Sequence, residues 1–422
     1  MERPKITLCM IVKDETHVIE ECLKSMAPYI DRYDITDTGS TDGTPELIKK
    51  TMDELGIPGE VYLSDWKGFG DHANRIGSRT EAFYNAEKSD AEYAWVIDAD
   101  DYIEGDFQFP KNMTADGYTL FIKRGEFSWW RNQIFKLDLG WRYVGILHEY
   151  ADATKKKDGL AFAKIDGNYH VNARTEGNRN VGVSPIEKYT RDAEILEGAL
   201  EDDPENSRYQ FYLAQSYFDS QQWGKAKEAY KKRVEMEGWN EEVFYSQYRV
   251  ALCCGLEKEP FDTIVGEFIK AYNTRPIRAE PLVEISRMYR MNDMAAAAYP
   301  FAKVAAELPY PAQDILFISE DVYRFTALDE LGAVAFYAGK AEDGYEACKK
   351  LVNENRVPDE HKDRVKENLG QYENIMAQME QARVTANMEA QIEKLKSRAE
   401  ENSKKKTSKT DKYKKRKKVK SR

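Results

Sequence analysis

The sequence predicts an α/β domain followed by an all-α domain built from paired helices. Residues 1–180 alternate short apolar runs with segments of helical periodicity, whereas strand candidates stop near residue 183. Amphipathic helices then follow in pairs, with small and aromatic residues at recurring positions. A β-α-β-α-β order calls for a mostly parallel sheet covered by helices. The expected division is 1–180 for the α/β domain, 181–358 for the helical repeats, 359–401 for one long charged helix and 402–422 for a disordered basic tail.

The opening "KITLCMIV" is an unbroken β-prone run and reads as a strand. In "THVIEECLKSMAPY", Val18, Ile19, Cys22, Leu23 and Met26 share one face of a helix. "YDITDTGSTDGT" is a strand tip entering a Gly/Ser/Thr/Asp loop, and "PELIKKTMDELG" has Pro at the first helical position and Gly at its end. "GEVYLSDW" reads as a further strand, and "YAWVIDADD" ends an apolar strand on Asp98, Asp100 and Asp101. Ligands of parallel sheets sit at the carboxyl ends of strands, where "DTGSTD" and "DADD" both fall. Carboxylates so close to a buried strand either close an Asx-type turn or hold something positive, because buried like charges repel.

From about residue 183 the texture is helical. Leu213, Ala214, Tyr217, Trp223, Ala226 and Tyr230 fit the small and aromatic positions of a tetratricopeptide helix pair. A degenerate copy keeps Phe268, Ala271 and Pro276, and "EPLVEISRMYRMNDMAAAAYPFAKVAAELP" and "ALDELGAVAFYAGKAEDGYEACKKLV" read as further pairs.

Composition excludes several classes. With 41% hydrophobic and 12% aromatic residues, the chain has ample material for cores. No apolar run approaches the roughly 18 residues of a membrane span. The N-terminal "MERPKITLCMIVKDE" has a short apolar stretch ending in charge, unlike a signal peptide, so a cytoplasmic protein, or one made in a host cytoplasm, is expected. Five cysteines without metal-ligand spacing read as reduced, mostly buried thiols. Residues 403–422 hold twelve Lys or Arg against one Asp, which divides the net charge of −11 into +11 for the tail and −22 for the 402 residues before it.

Four motifs in order, "ITLCMIVKDETHVIEECLKSM", "DTGSTDGT", "WKGFGDHANR" and "WVIDADD", resemble the family 2 glycosyltransferases of the GT-A fold, over roughly residues 5–175. The resemblance implies a metal-dependent transferase that moves a sugar from a nucleotide-sugar donor, a UDP- or GDP-sugar, with Mn²⁺ or Mg²⁺ on the diphosphate. A hard cation there wants carboxylate oxygens and stabilises the leaving group. By resemblance Asp100 is a metal ligand and catalytic residue, Asp98 contacts the donor, and Asp101 is either a spare carboxylate or a turn cap. Asp37 is implied at the nucleotide base, with Asp14 and Glu15 at ribose or base. Asn74 and Arg75 stand where related enzymes place a basic residue near the diphosphate, and an arginine fork suits phosphate oxygens. Thr41 and Asp42 either serve the donor loop or cap the helix that starts near Pro45.

A second signature, "RNQIFK" then "WRYVGILHEY", resembles the segment near the end of such domains that carries the acceptor-activating base. Glu149 is implied as that base in an inverting transfer. His148 is implied as a metal ligand, with a structural histidine as the alternative reading. His170 is the rival for the metal, and His17 and His72 lie near donor motifs without further context.

The acceptor is open. Helical repeats build concave surfaces for peptides, proteins or glycans, or a platform for a homo-oligomer. Trp129 and Trp130 either stack on a sugar or belong to the core. The basic tail suits a nucleic-acid acceptor such as a modified base in viral DNA, against which stands the acidic body. The rival to an enzyme is an adaptor whose transferase domain is inactive.

Overall fold

The computed structural model describes residues 3–419 except 73, 74, 126, 158, 175 and 178–181; side chains are described for these other than 127, 400 and 402–419. Two compact units divide the chain at Gly238 and Trp239.

The first unit runs β1 (Ile6–Val12), α1 (Ile19–Met26), β2 (Arg32–Asp37), α2 (Thr44–Glu54), β3 (Gly59–Leu63), α3 (Ser78–Ala86) and β4 (Tyr93–Val96). It continues with β5 (Tyr102–Asp106), β6 (Gly117–Arg124), β7 (Phe127–Lys136), β8 (Trp141–Val144), β9 (Tyr150–Ala153), β10 (Phe162–Lys164) and β11 (Asn168–Asn172). Helices α4 (Pro185–Asp202), α5 (Ser207–Asp219) and α6 (Trp223–Glu235) complete it.

The large sheet has the order β3-β2-β1-β4-β7-β6-β11-β5, with β10 beside β6. Strands β3, β2, β1 and β4 are parallel, whereas β7 runs antiparallel to both β4 and β6. Five of the eight pairings described in this sheet are parallel, so it is mostly parallel as expected, but mixed. The cause is the hairpin β6–β7, which needs no crossover helix and enters the sheet beside β4.

Both faces of β1 are covered, which explains its unbroken apolar spelling. Ile6, Leu8, Met10 and Val12 join a core with Ile19, Cys22, Leu23 and Met26 of α1 and Ile48 and Met52 of α2. Cys9 points the other way, into a cluster with Phe83 of α3, Phe135 and Trp141. All five cysteines are buried.

Helices α5 and α6 form the clearest expected pair: Leu213, Ala214, Tyr217, Ala226 and Tyr230 are buried, and Trp223 meets Phe218 edge-on. This pair and α4 cluster with the α/β half, so the first compact unit extends well past the expected boundary at residue 180.

The second unit comprises α7 (Asn240–Leu256), α8 (Phe261–Thr274), α9 (Glu280–Met291), α10 (Ala295–Glu307), α11 (Ala327–Tyr337), α12 (Ala341–Asn353) and α13 (Lys362–Val419). Phe268 and Ala271, singled out in the degenerate repeat, are buried in α8. The connection between α10 and α11 is pinned by a buried network: Arg278 binds Glu280 and Asp314, and the Tyr323 hydroxyl donates to Glu280. Burying such charges is tolerable only because each has partners. The tail expected to be disordered continues α13 as far as Val419. Residues 402–419 contain no Gly or Pro and many Lys, so nothing in their backbone chemistry stops a helix already under way.

Candidate functional site

Because β1, β2 and β4 are parallel neighbours, their carboxyl ends share one edge, with Val12 in register with Asp37. The residues after them, Lys13 to Glu15, Thr38 onward and Asp98 to Asp101, are thus gathered without being near in sequence. A cavity of about 730 Å³ opens there. Its wall carries the cations Lys13, Arg79, Arg124, Arg174 and Lys188 and the carboxylates Glu15, Asp98 and Asp100. Cations outnumber carboxylates on this wall although the chain as a whole is acidic. Trp66, Phe69, Ile146, Leu147 and Ile195 supply apolar surface. Lys188 and Ile195 belong to α4, so the first helix after the sheet closes one side of the cavity.

The loop after β2 is shaped by its own polar groups. Asp37 is buried, and its Oδ1 accepts from the Gly39 and Ser40 amides at 3.0 and 2.9 Å. Its Oδ2 is buried with no hydrogen-bond partner among the described residues. A buried carboxylate oxygen left bare is costly, and Asp37 lies next to Thr38, which lines the cavity. Asp14, at a positive φ of 55°, accepts from the Thr41 amide at 2.7 Å, while its own amide donates to Ser40 Oγ. Asp42 ties Thr16 to Thr44 at the start of α2, in agreement with the capping reading. Burial works against ionisation of Asp42, yet its hydrogen bonds with Thr44 and Thr16 bring its carboxyl down to about 2. Glu15 lines the cavity, and its amide donates to Thr44 Oγ1.

The "WKGFGDHANRIG" loop folds back so closely that a Cβ on Gly77 would lie 2.4 Å from the Gly70 carbonyl oxygen. Asp71 anchors the loop to β8 through Tyr143 O at 2.6 Å, and its side chain accepts from the Gly77 amide. This places α3, and with it Arg79, on the cavity wall. Arg75 is exposed and pairs through its backbone with His72. Asn74 lies outside the described residues. The arginine that this loop sets on the cavity wall is thus Arg79, in "GSRTEAF", four positions beyond the expected one.

Arg79 is held at two points. Its Nη2 lies 2.7 Å from Asp98 Oδ1, and its Nε lies 2.7 Å from Glu149 Oε1. Arg131 takes the other side of the cluster, 3.5 Å from Asp98 Oδ2 and 3.1 Å from Asp101 Oδ2. Burial opposes ionisation of Asp98, but the two guanidinium groups overcome it and hold its carboxyl well below the usual range. Asp101 goes the other way, pushed up to about 7 by burial and by the charge of Asp98, against the pull of Arg131. Asp100 Oδ2 accepts from the amides of Glu176 and Gly177 at 3.0 and 2.9 Å. Arg174 Nε donates to Asp100 O, and its amide donates to Asp101. Arg79, Arg131 and Arg174 carry no signal in the sequence, which has no arginine between Arg79 and Arg124 on either side of the acidic motif.

The two residues expected to hold a metal, Asp100 and His148, are each engaged with other groups. His148, at a positive φ of 52°, is exposed and stacks on Tyr212, while its carbonyl accepts from Arg208. Among the described residues no three His, Cys, Asp or Glu side chains converge to hold an ion. With both oxygens of Asp98 facing arginines and Asp100 Oδ2 accepting from two amides, these residues as placed fit a divalent cation poorly. The other histidines are elsewhere: His170 lies 3.4 Å from Glu104, His17 contacts Glu176 O, and His72 contacts the Tyr209 hydroxyl. Trp129 packs against the main core, and Trp130 lies against Phe121 with Lys164 over its ring.

No family model matches the chain, and no curated protein matches it. Solved structures similar to it include YrrB, described as a TPR protein with an unusual peptide-binding site, at 15% identity over 41% of this chain and 80% of that one, with a TM-score of 0.30. MamA is 15% identical over 42% of this chain and 96% of that one, with a TM-score of 0.31. The Cut9–Hcn1 hetero-tetramer of the APC/C is 14% identical over 45% and 34%, at 0.30. No helix among the described residues is long and apolar enough to cross a membrane.

Proposed function

We propose that this chain is a glycosyltransferase of the GT-A type that moves a sugar from a nucleoside-diphosphate sugar to a protein, peptide or glycan acceptor. The observation that carries this reading is the cation-rich cavity at the carboxyl ends of β1, β2 and β4 in an otherwise acidic chain. A diphosphate is the anionic part of such a donor, and cationic clefts concentrate anionic ligands. The bare, buried oxygen of Asp37 suits a hydrogen-bond donor on the nucleotide base. Lys188 and Ile195 of α4 line the cavity, and α4 leads directly into the helix pair α5–α6, a type of element suited to peptides, which supports a peptide or protein acceptor.

In this reading the acceptor's nucleophile attacks the anomeric carbon and its proton passes to Glu149. The bond between that carbon and the β-phosphate oxygen breaks, with its electron pair remaining on the oxygen. Charge developing there is stabilised by donors aimed at it in advance. Release of nucleotide from a panel of UDP- and GDP-sugars, followed by mass spectrometry of acceptors incubated with the productive donor, tests the proposal. Silence across the panel would favour an adaptor without activity.

A further inference from the structure

The chemistry of the "DADD" cluster is that of an arginine holder. A divalent cation needs several carboxylate oxygens left facing it. Here both oxygens of Asp98 face guanidinium groups, one on Arg79 and one on Arg131. Asp101 is shared between Arg131 and the Arg174 amide, and Asp100 Oδ2 is closed by two backbone amides. His148, the remaining expected ligand, stacks on an aromatic ring. Meanwhile Arg79 lies on the cavity wall, only 17% exposed at its side chain, and is fixed by Asp98 on one side and Glu149 on the other.

We propose that Arg79, oriented by Asp98 and Glu149, supplies the positive charge that the donor's diphosphate requires, so that donor binding proceeds without a divalent cation. The proposal rests on the nucleotide-sugar reading above. A guanidinium is planar, permanently charged and matched to paired phosphate oxygens, so a pre-fixed arginine loses little freedom on taking the anion. When the bond between the anomeric carbon and the β-phosphate oxygen breaks, the electron pair stays on that oxygen and Arg79 N–H groups donate to it. The acceptor proton goes to Glu149, whose Oε1 is adjacent to Arg79 Nε. Asp98 and Arg131 then act as positioning residues, Asp98 by holding Arg79 and Arg131 by holding Asp98.

The test is calorimetric titration of the full chain with UDP and GDP, in EDTA and again with Mn²⁺ or Mg²⁺. Binding of one nucleotide in EDTA, tightened less than about twofold by either cation, is the expected result. Arg79→Lys, which keeps the charge and loses the fork, should weaken that binding about tenfold. Should Arg79→Lys fail to fold, the cation comparison on the unaltered chain still decides. Binding seen only with a cation present would overturn the arginine proposal and leave the transferase reading standing. Equal affinity in folded Arg79→Lys would likewise overturn it. Absence of UDP and GDP binding under every condition would remove the nucleotide-sugar reading itself, and the proposal with it.

Discussion

The imidazole of His148 lies flat on the ring of Tyr212, with centroids 3.9 Å apart and planes 7° from parallel. The contact joins the "HEY" segment after β8 to helix α5, and Arg208 of the same helix donates to the His148 carbonyl. A residue expected to hold a metal is instead a brace between the sheet and its first helices. His148→Ala should therefore cost about 1 kcal/mol of stability, the size of an aromatic pair. The positive φ of His148 adds strain that alanine does not relieve. Thermal melting checks the loss, and nucleotide affinity with and without Mn²⁺ should stay unchanged. A shift in cation dependence would restore the ligand role.

The same brace bears on where the chain can be cut. Residues 1–180 contain every motif expected at the donor but lack Lys188 and Ile195, which line the cavity. They also lack α5, whose Tyr209 hydroxyl contacts His72 and accepts from the Ile146 amide. A fragment ending at Gly238 should fold and bind nucleotide. One ending at residue 180 should expose the apolar surface under α4 and aggregate or bind far more weakly. Circular dichroism and calorimetry on the two fragments distinguish them, and equal behaviour would put the boundary back at residue 180.

Asp37→Asn keeps one oxygen for the Gly39 and Ser40 amides while replacing a charged acceptor by an amide. Nucleotide affinity should fall about tenfold, in line with the loss of a hydrogen bond to a charged group. Melting temperature should move little. An unchanged dissociation constant would leave Asp37 as a turn cap only.

Glu149→Gln preserves an oxygen for Arg79 Nε and removes the basic site. Transfer should fall by a factor of about 10² to 10⁴ while nucleotide binding stays within a few-fold. Single-turnover rates and titration on one preparation separate the two effects. A parallel loss of binding would make Glu149 a positioning residue for Arg79 rather than the base.

Asp101 predicts a pH dependence of stability. Its carboxyl rises from 3.8 in the unfolded chain to about 7 in the folded one. Between those values the folded chain binds more protons, so the stability this group contributes is present below about pH 4 and is lost as pH rises through about 7. Asp101→Asn cannot ionise and escapes that loss. Its melting temperature relative to the unaltered chain should be more favourable at about pH 8 than at about pH 5. A difference independent of pH would show that Asp101 stays ionised in the fold, paired with Arg131.

Local periodicity and turn chemistry determined most of the elements. The apolar run of β1, the one-sided pattern of α1, Pro45 at the start of α2 and the small and aromatic positions of α5 and α6 are each set by neighbours within a few residues. Such signals are legible because helix and strand periods act over short distances. They also brought out the two strand-end motifs that border the cavity. Tertiary structure decided what stands opposite those motifs. Arg79 meets Asp98 because α3 is hung from β8 by Asp71, and Arg131 meets Asp98 and Asp101 because β7 enters the sheet beside β4. Nothing in a sequence period announces a pairing between residues 19 or more positions apart. The conversion of a carboxylate trio from an expected ion site to an arginine holder is therefore a property of the packed chain, set by which side chains the sheet order makes neighbours.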